Sequence, residues 1–165
     1  MPLRRELVLI GGGHAHAHVL MSLAMRPEPD ARVTLIAKDI ESPYSGMVPG
    51  YLAGLYTRDD CHIDLAPLCV LAGVRLIHAA AIGLDLAGRR VLFGARPPVP
   101  YDVLSIDIGS EPSPAGIEGA REHSVPLKPI SGLAARFEAT LAEARAPGGP
   151  RRFLVIGGGA AGVEV

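Results

Sequence analysis

Leu7-Val8-Leu9-Ile10-Gly11-Gly12-Gly13-His14-Ala15-His16 is the stretch on which the fold of this chain turns. Four unbroken apolar residues predict a strand buried on both faces, the habit of a parallel sheet. Glycines follow at once. From His14 to Met25, Val19, Leu20, Leu23 and Ala24 recur at helical spacing, and Pro27, Pro29 and Asp30 stop the helix. Val33-Thr34-Leu35-Ile36 predicts a second buried strand. Strand, glycine turn, helix and strand within about thirty residues make a βαβ unit with a right-handed crossover. The expected fold class is therefore α/β, Rossmann-like, with a parallel sheet and flanking helices.

Outward from that unit the pattern changes. Tyr44 to Tyr56 is apolar and small but interrupted by Gly46, Pro49, Gly50 and Gly54, which predicts a loop with short helical pieces. A short helix is expected from Asp64 to Ala72. Val74–Leu84 and Arg90–Phe93 flank Asp85-Leu86-Ala87-Gly88, which has hairpin chemistry and adds a β-hairpin or meander to the sheet. Tyr101 to Ile108 predicts another buried strand ending at Gly109, and Ser110 to Gly119 a loop. Leu133, Phe137 and Leu141 share one stripe of a helix expected over Ser131–Arg145, with Ser131 as its N-cap. Ala146-Pro147-Gly148-Gly149-Pro150 is a linker. Phe153-Leu154-Val155-Ile156 then predicts a buried strand, followed by a second glycine turn and the start of a helix. The expected organisation is one domain over residues 1–146, a linker over 147–150, and over 151–165 the first strand and turn of a second Rossmann-like domain. On that expectation the chain is the front part of a longer protein.

Composition narrows the class. The 165 residues are 48% hydrophobic and 20% charged, with a formal net charge of −1. That fits a globular protein and carries no basic footprint for nucleic acid. No stretch approaches the ~20 apolar residues of a membrane span, and the apolar run after the N-terminus is too short for a signal peptide. A cytoplasmic protein is expected. Cys61 and Cys69 are eight apart; on one helix their Cα atoms would lie about 12 Å apart at 1.5 Å per residue, beyond the roughly 7 Å a disulfide tolerates. Two reduced structural thiols are expected.

The glycine turns carry the chemistry. A strand-to-helix turn that holds a dinucleotide needs one glycine to turn and a second to let backbone approach a pyrophosphate at the helix N-terminus. Gly11 and Gly13 match those places, and His16 stands at the third, where a small residue is usual. Gly157-Gly158-Gly159-Ala160-Ala161-Gly162 has all three glycines. Either turn could serve packing alone. Yet Leu-Val-Leu-Ile-Gly-Gly-Gly and Phe-Leu-Val-Ile-Gly-Gly-Gly echo each other at about a domain's spacing, and two dinucleotides, one flavin and one nicotinamide, explain the repeat directly. An acid is expected after the second strand to reach the ribose. Ala37 and Lys38 stand there, so either Asp39 serves from a displaced turn or backbone and water hold the sugar.

These windows, with Tyr44-Ser45-Gly46-Met47-Val48-Pro49-Gly50-Tyr51, Cys61-His62-Ile63-Asp64-Leu65, Tyr101-Asp102-Val103-Leu104 and Val125-Pro126-Leu127-Lys128-Pro129-Ile130, follow one pattern. The chain resembles the FAD-containing NADH dehydrogenase-like flavoproteins of the pyridine nucleotide-disulfide oxidoreductase superfamily. More narrowly, it resembles the flavoprotein module fused ahead of selenide, water dikinase. The resemblance implies an FAD domain interrupted by an NAD(P) domain. It places Gly11, Gly12, Gly13, His14 and Ala15 at the FAD pyrophosphate and backbone near Ala81 at the adenine. Tyr44, Ser45 and Pro49 would line the flavin, with Gly109 beside the cofactor. Gly157, Gly159 and Gly162 would hold the NAD(P) pyrophosphate, and Glu164 would face the junction of the two rings. Two residues depart from the pattern: Asp107-Ile108-Gly109 replaces the usual Ala-Thr-Gly, and Ala37 the usual acid.

The expected activity is hydride transfer from NAD(P)H to FAD and on to a small-molecule acceptor. No catalytic side chain is required for the first half-reaction, and no Cys-x4-Cys dithiol stands beside the flavin. The chain alone is expected not to turn over. A different class of function, a nucleotide-sensing or assembly module holding its nucleotide as a structural ligand, predicts no NADH oxidation at all. A metal site is not expected. On a helix His14 and His18 share a face while His16 points elsewhere, and no further ligand completes a site.

Overall fold

The computed structural model describes residues 4–111 and 116–164, so part of the expected Ser110–Gly119 loop (112–115) lies outside the described residues, as does Val165. The chain divides into two units: residues 1–42 with 62–109, and residues 43–61 with 110–165.

The first unit holds the parallel sheet. Its strands β1 (Arg5–Ile10) and β2 (Ala31–Ala37) are joined by helix α1 (His14–Met25), as the βαβ pattern predicts. Leu7 pairs with Val33 and Ile10 with Ile36 in parallel register. After β2 comes a small ribbon of β3 (Glu41–Pro43) and β4 (His62–Asp64), with the intervening residues, including helix α2 (Val48–Leu52), in the second unit. Helix α3 (Leu65–Ala72) leads into β5 (Arg75–His78), which pairs with β2. Asp64 caps α3 by accepting the Ala66 N–H at 2.9 Å. An antiparallel meander of β6 (Gly83–Asp85), β7 (Arg90–Leu92) and β8 (Val99–Pro100) follows, and β9 (Val103–Ile106) returns beside β1. The parallel order is β5-β2-β1-β9.

Why the first two strands are unbroken apolar runs is visible in the packing. Leu9, Val33, Leu35 and Ala37 meet Leu20 of α1 and Leu65 and Cys69 of α3 on one face. Val8, Ile10 and Ile36 meet Ile77, Val91 and Val99 on the other. Period-two alternation sends successive side chains into two different cores, so neither may be polar without a partner. Thr34 is buried all the same.

Four expectations are corrected in detail. Val74–Leu84 is not one hairpin strand: β5 joins the parallel sheet, and only Gly83–Asp85 pairs in the meander, with Gly88 N–H bound to Asp85 Oδ1 at 2.8 Å. The Tyr101–Ile108 strand shortens to β9, which among the described residues pairs on one side only, so Val103 and Ile106 stand about half exposed.

The third lies in the second unit, which contains α2, α4 (Ala120–His123), α5 (Leu133–Arg145) and α6 (Ala160–Glu164). Helix α5 starts two residues later than expected. Its N-cap is Gly132, without a side-chain cap, so Ser131 does not hold the role given to it. The Tyr44–Tyr56 segment is, as expected, a loop with a single 3₁₀ turn (Ser45–Met47) and the short α2. The fourth is the buried strand expected at Phe153-Leu154-Val155-Ile156: these residues form no β ladder and all four are more than half exposed, because no described strand pairs with them. Among the described residues no helix is long and apolar enough to cross a membrane.

Candidate functional site

The four parallel strands end on one side of the first unit's sheet, and some of the residues singled out by sequence follow those ends in order. Gly11, Gly12, Gly13, His14 and Ala15 follow β1, Asp39 follows β2, Ala81 follows β5, and Gly109 follows β9. Open parallel sheets place ligands at these carboxyl ends, where loops diverge and helix N-termini converge.

At the centre is the β1–α1 turn. The ladder runs on into it, since Gly11 N–H donates to Ile36 C=O at 2.8 Å. Gly11 has φ +92°, a conformation that favours glycine, and a Cβ there would collide with the Asp107 carbonyl oxygen. Gly13 is the N-cap of α1 with extended backbone and no side chain to cap the helix itself. The end of β9 does that instead. Asp107 C=O accepts the Gly13 N–H at 3.1 Å, and its Oδ2 accepts the His16 N–H at 3.2 Å. A Cβ on Gly13 would strike that carboxylate, whereas one on Gly12 would strike only the end of the Leu65 side chain.

His16, the departure at the third fingerprint position, is 1% exposed. Its Nδ1 lies 2.7 Å from the Gly11 carbonyl oxygen and its Nε2 2.9 Å from Ser105 Oγ. A carbonyl only accepts, so Nδ1 carries the hydrogen, and in the neutral ring Nε2 accepts from the serine hydroxyl. The ring thus ties the turn to β9 where a small residue would let helix and strand touch. Asp107, His16 and Ser105 form this tie, and sequence reading assigned none of them to the site. The signal available was the pair of departures themselves, an acid at the end of one strand and a histidine where the helix meets another.

The remaining sites are less assembled. Asp39 is exposed at the end of β2, Ala81 is half-buried against the core of Val8 and Ile36, and Gly109 is exposed beside open space. Asp39 is the first acid to follow β2 along the chain, and His78 Nε2 meets the Lys38 carbonyl there at 2.9 Å. Tyr44, Ser45 and Pro49 lie in the second unit, where Tyr44 N–H donates to the Cys61 carbonyl at 2.7 Å and Pro49 follows Val48 in the first turn of α2. Gly157, Gly159, Gly162 and Glu164 also belong there; Gly162 is half-buried and the other three are exposed. A Cβ at Gly162 would collide with the Gly157 carbonyl, so that turn too closes over a glycine.

Cys61 and Cys69 are free and buried. Burial, and secondarily the Asp60 charge, pushes the Cys61 thiol up; burial alone pushes Cys69 up to about 11. Neither is poised as a thiolate nucleophile.

Against known proteins, the family described as pyridine nucleotide-disulphide oxidoreductase matches residues 5–165. A curated relative, "Probable ferredoxin reductase CtmF" of Castellaniella defragrans, is 28% identical over all of this chain and 39% of its own length. "NADH dehydrogenase-like protein YutJ" of Bacillus subtilis is 28% identical over 98% of this chain and 44% of its own length. Reduced CoADR-RHD of Bacillus anthracis superposes with a TM-score of 0.77 at 20% identity, covering 98% of this chain and 30% of that one. The chain therefore spans less than half the length of the curated relatives it matches.

Proposed function

Because the chain belongs to the pyridine nucleotide-disulphide oxidoreductase family, we propose that it is the FAD-binding front part of an oxidoreductase drawing hydride from NAD(P)H. The observation that carries the proposal is the β1–α1 turn. A glycine N-cap without a side chain, on a twelve-residue helix at the carboxyl ends of four parallel strands, suits a dinucleotide pyrophosphate. Gly11, Gly12, Gly13, His14 and Ala15 would hold it through backbone N–H groups. Asp39 is the candidate for the ribose, Ala81 backbone for the adenine, and Gly109 for the strand end beside the cofactor. Tyr44, Ser45 and Pro49 are proposed to line the flavin.

For the nicotinamide partner, NADH or NADPH, the proposal assigns Gly157, Gly159 and Gly162 to the pyrophosphate and Glu164 to the junction of the rings. What supports it is the repeated glycine turn, with Gly157 and Gly162 in closest approach. Bound FAD would supply the hydride-accepting ring, so this chain's own work is to bind, orient and exclude water. The acceptor is proposed to be a small molecule. One relative is named for ferredoxin reduction and the other for NADH dehydrogenation, so a protein acceptor is the alternative to test beside it. The finer resemblance to the module ahead of selenide, water dikinase rests on the Tyr44–Tyr51 and Cys61–Leu65 segments and belongs to the same proposal.

The test is the visible absorbance of the purified chain before and after adding FAD and desalting. A flavin spectrum that survives desalting is expected. A chain that stays colourless with FAD present would overturn the reading. With FAD bound, the isolated chain is expected not to lose its flavin colour to NADH, because it spans under half of the relatives' length.

A further inference from the structure

We propose that the Asp107 carboxylate weakens and tunes anion binding at the glycine turn, as a charge of the protein's own seated on the helix end to which a cofactor phosphate is drawn. This rests on the reading of that turn as a pyrophosphate site. The first turn of α1 has N–H groups without intrahelical acceptors, and the helix dipole makes that end favourable for negative charge. Its own N-cap, Gly13, has no side chain to offer. Asp107 reaches it from 91 residues further along the chain than His16, whose N–H it accepts at 3.2 Å.

Its position is not loose. Asp107 N–H donates to the Ile10 carbonyl at 2.8 Å, and its own carbonyl accepts Gly13 N–H at 3.1 Å, so the backbone on both sides of the side chain is pinned to the turn. The carboxylate lies against the Gly13 Cα closely enough that any Cβ would strike it. A phosphate approaching the α1 end therefore meets a fixed negative charge and must share the field of the helix with it. Two such charges a few ångströms apart at a half-exposed surface repel enough to shift binding by about tenfold at low salt. The repulsion is screened as the Debye length falls to ~3 Å near 1 M salt.

Asp107→Asn separates charge from shape, since the amide oxygen still accepts the His16 N–H. Dissociation constants for FAD, ADP and adenosine are to be measured by titration calorimetry on the whole chain and on D107N, at low and at ~1 M salt. The expected result is FAD and ADP binding about tenfold tighter in D107N at low salt, a gain that shrinks to less than about twofold at high salt, and no change for adenosine, which has no phosphate. D107A gives the same ADP gain with a lower unfolding midpoint, since it loses the cap as well, and it serves if D107N does not fold. Wild-type chain that binds FAD while D107N binds it no tighter overturns this proposal alone and leaves Asp107 a helix cap. An equal gain for adenosine also overturns it. If no form binds FAD or ADP, the pyrophosphate reading falls and this proposal falls with it.

Discussion

Gly11 and Gly12 are adjacent and identical, yet the structure treats them differently. At Gly11 a Cβ would meet the backbone carbonyl of Asp107 and the φ is +92°, so neither strain can relax cheaply. Gly11→Ala is expected to cost at least about 2 kcal/mol, read from urea midpoints. At Gly12 the obstacle is a Leu65 methyl at the end of a flexible side chain, and Gly12→Ala is expected to cost about 1 kcal/mol or less. His16→Ala should cost about 2–4 kcal/mol, because it opens a cavity and orphans the Gly11 carbonyl. Cys69 makes a pH prediction. Burial holds its folded pKa at about 11, above the thiol's ordinary 9.0, so the neutral thiol favours the fold. That contribution is complete below pH ~9 and is lost as pH rises from ~9 through ~11. Stability of the wild type should therefore fall across that window more steeply than that of Cys69→Ser.

At the scale of elements, two residues of the N-cap type give opposite results. Asp64 precedes α3, and its carboxylate accepts the Ala66 N–H. Asp64→Ala should cost about 1 kcal/mol and Asp64→Asn much less. Ser131 fits the same composition rule, but α5 begins after Gly132. Ser131→Ala should therefore leave the unfolding midpoint unchanged within a few tenths of a kcal/mol. Helix α1, expected from about His14 to Met25, was legible because glycines stop it at one end and prolines at the other. The Val74–Leu84 segment was not. Its apolar residues suit either a parallel strand or a hairpin, and only pairing of Ile77 with Ile36 decides where one ends and the other starts.

For the whole molecule, the sequence alone determined the α/β class, the first βαβ unit, the hairpin at Asp85–Gly88 and the place of the first glycine turn. Those depend on local rules: unbroken apolar runs, helical spacing, and glycine where backbone must turn. Leu9→Ala, which empties a site 2% exposed between β1 and α1, should lower stability by about 2–5 kcal/mol. Leu154→Ala, at 87% exposure, should change it by less than about 0.5 kcal/mol, although both lie in apolar runs that look alike. The difference is one of neighbours. Val8, Leu9 and Ile10 have strands on both sides and cores on both faces, while residues 153–156 pair with no described strand. Tertiary structure alone decided that Asp107 caps α1, that His16 ties Gly11 to Ser105, and that Gly11 and Gly13 are made necessary by Asp107 itself. Apart from the His16–Gly11 bond, those contacts join residues about ninety positions apart, and no periodicity or spacing carries them, because only the return of β9 alongside β1 brings the two ends of the tie within hydrogen-bond reach.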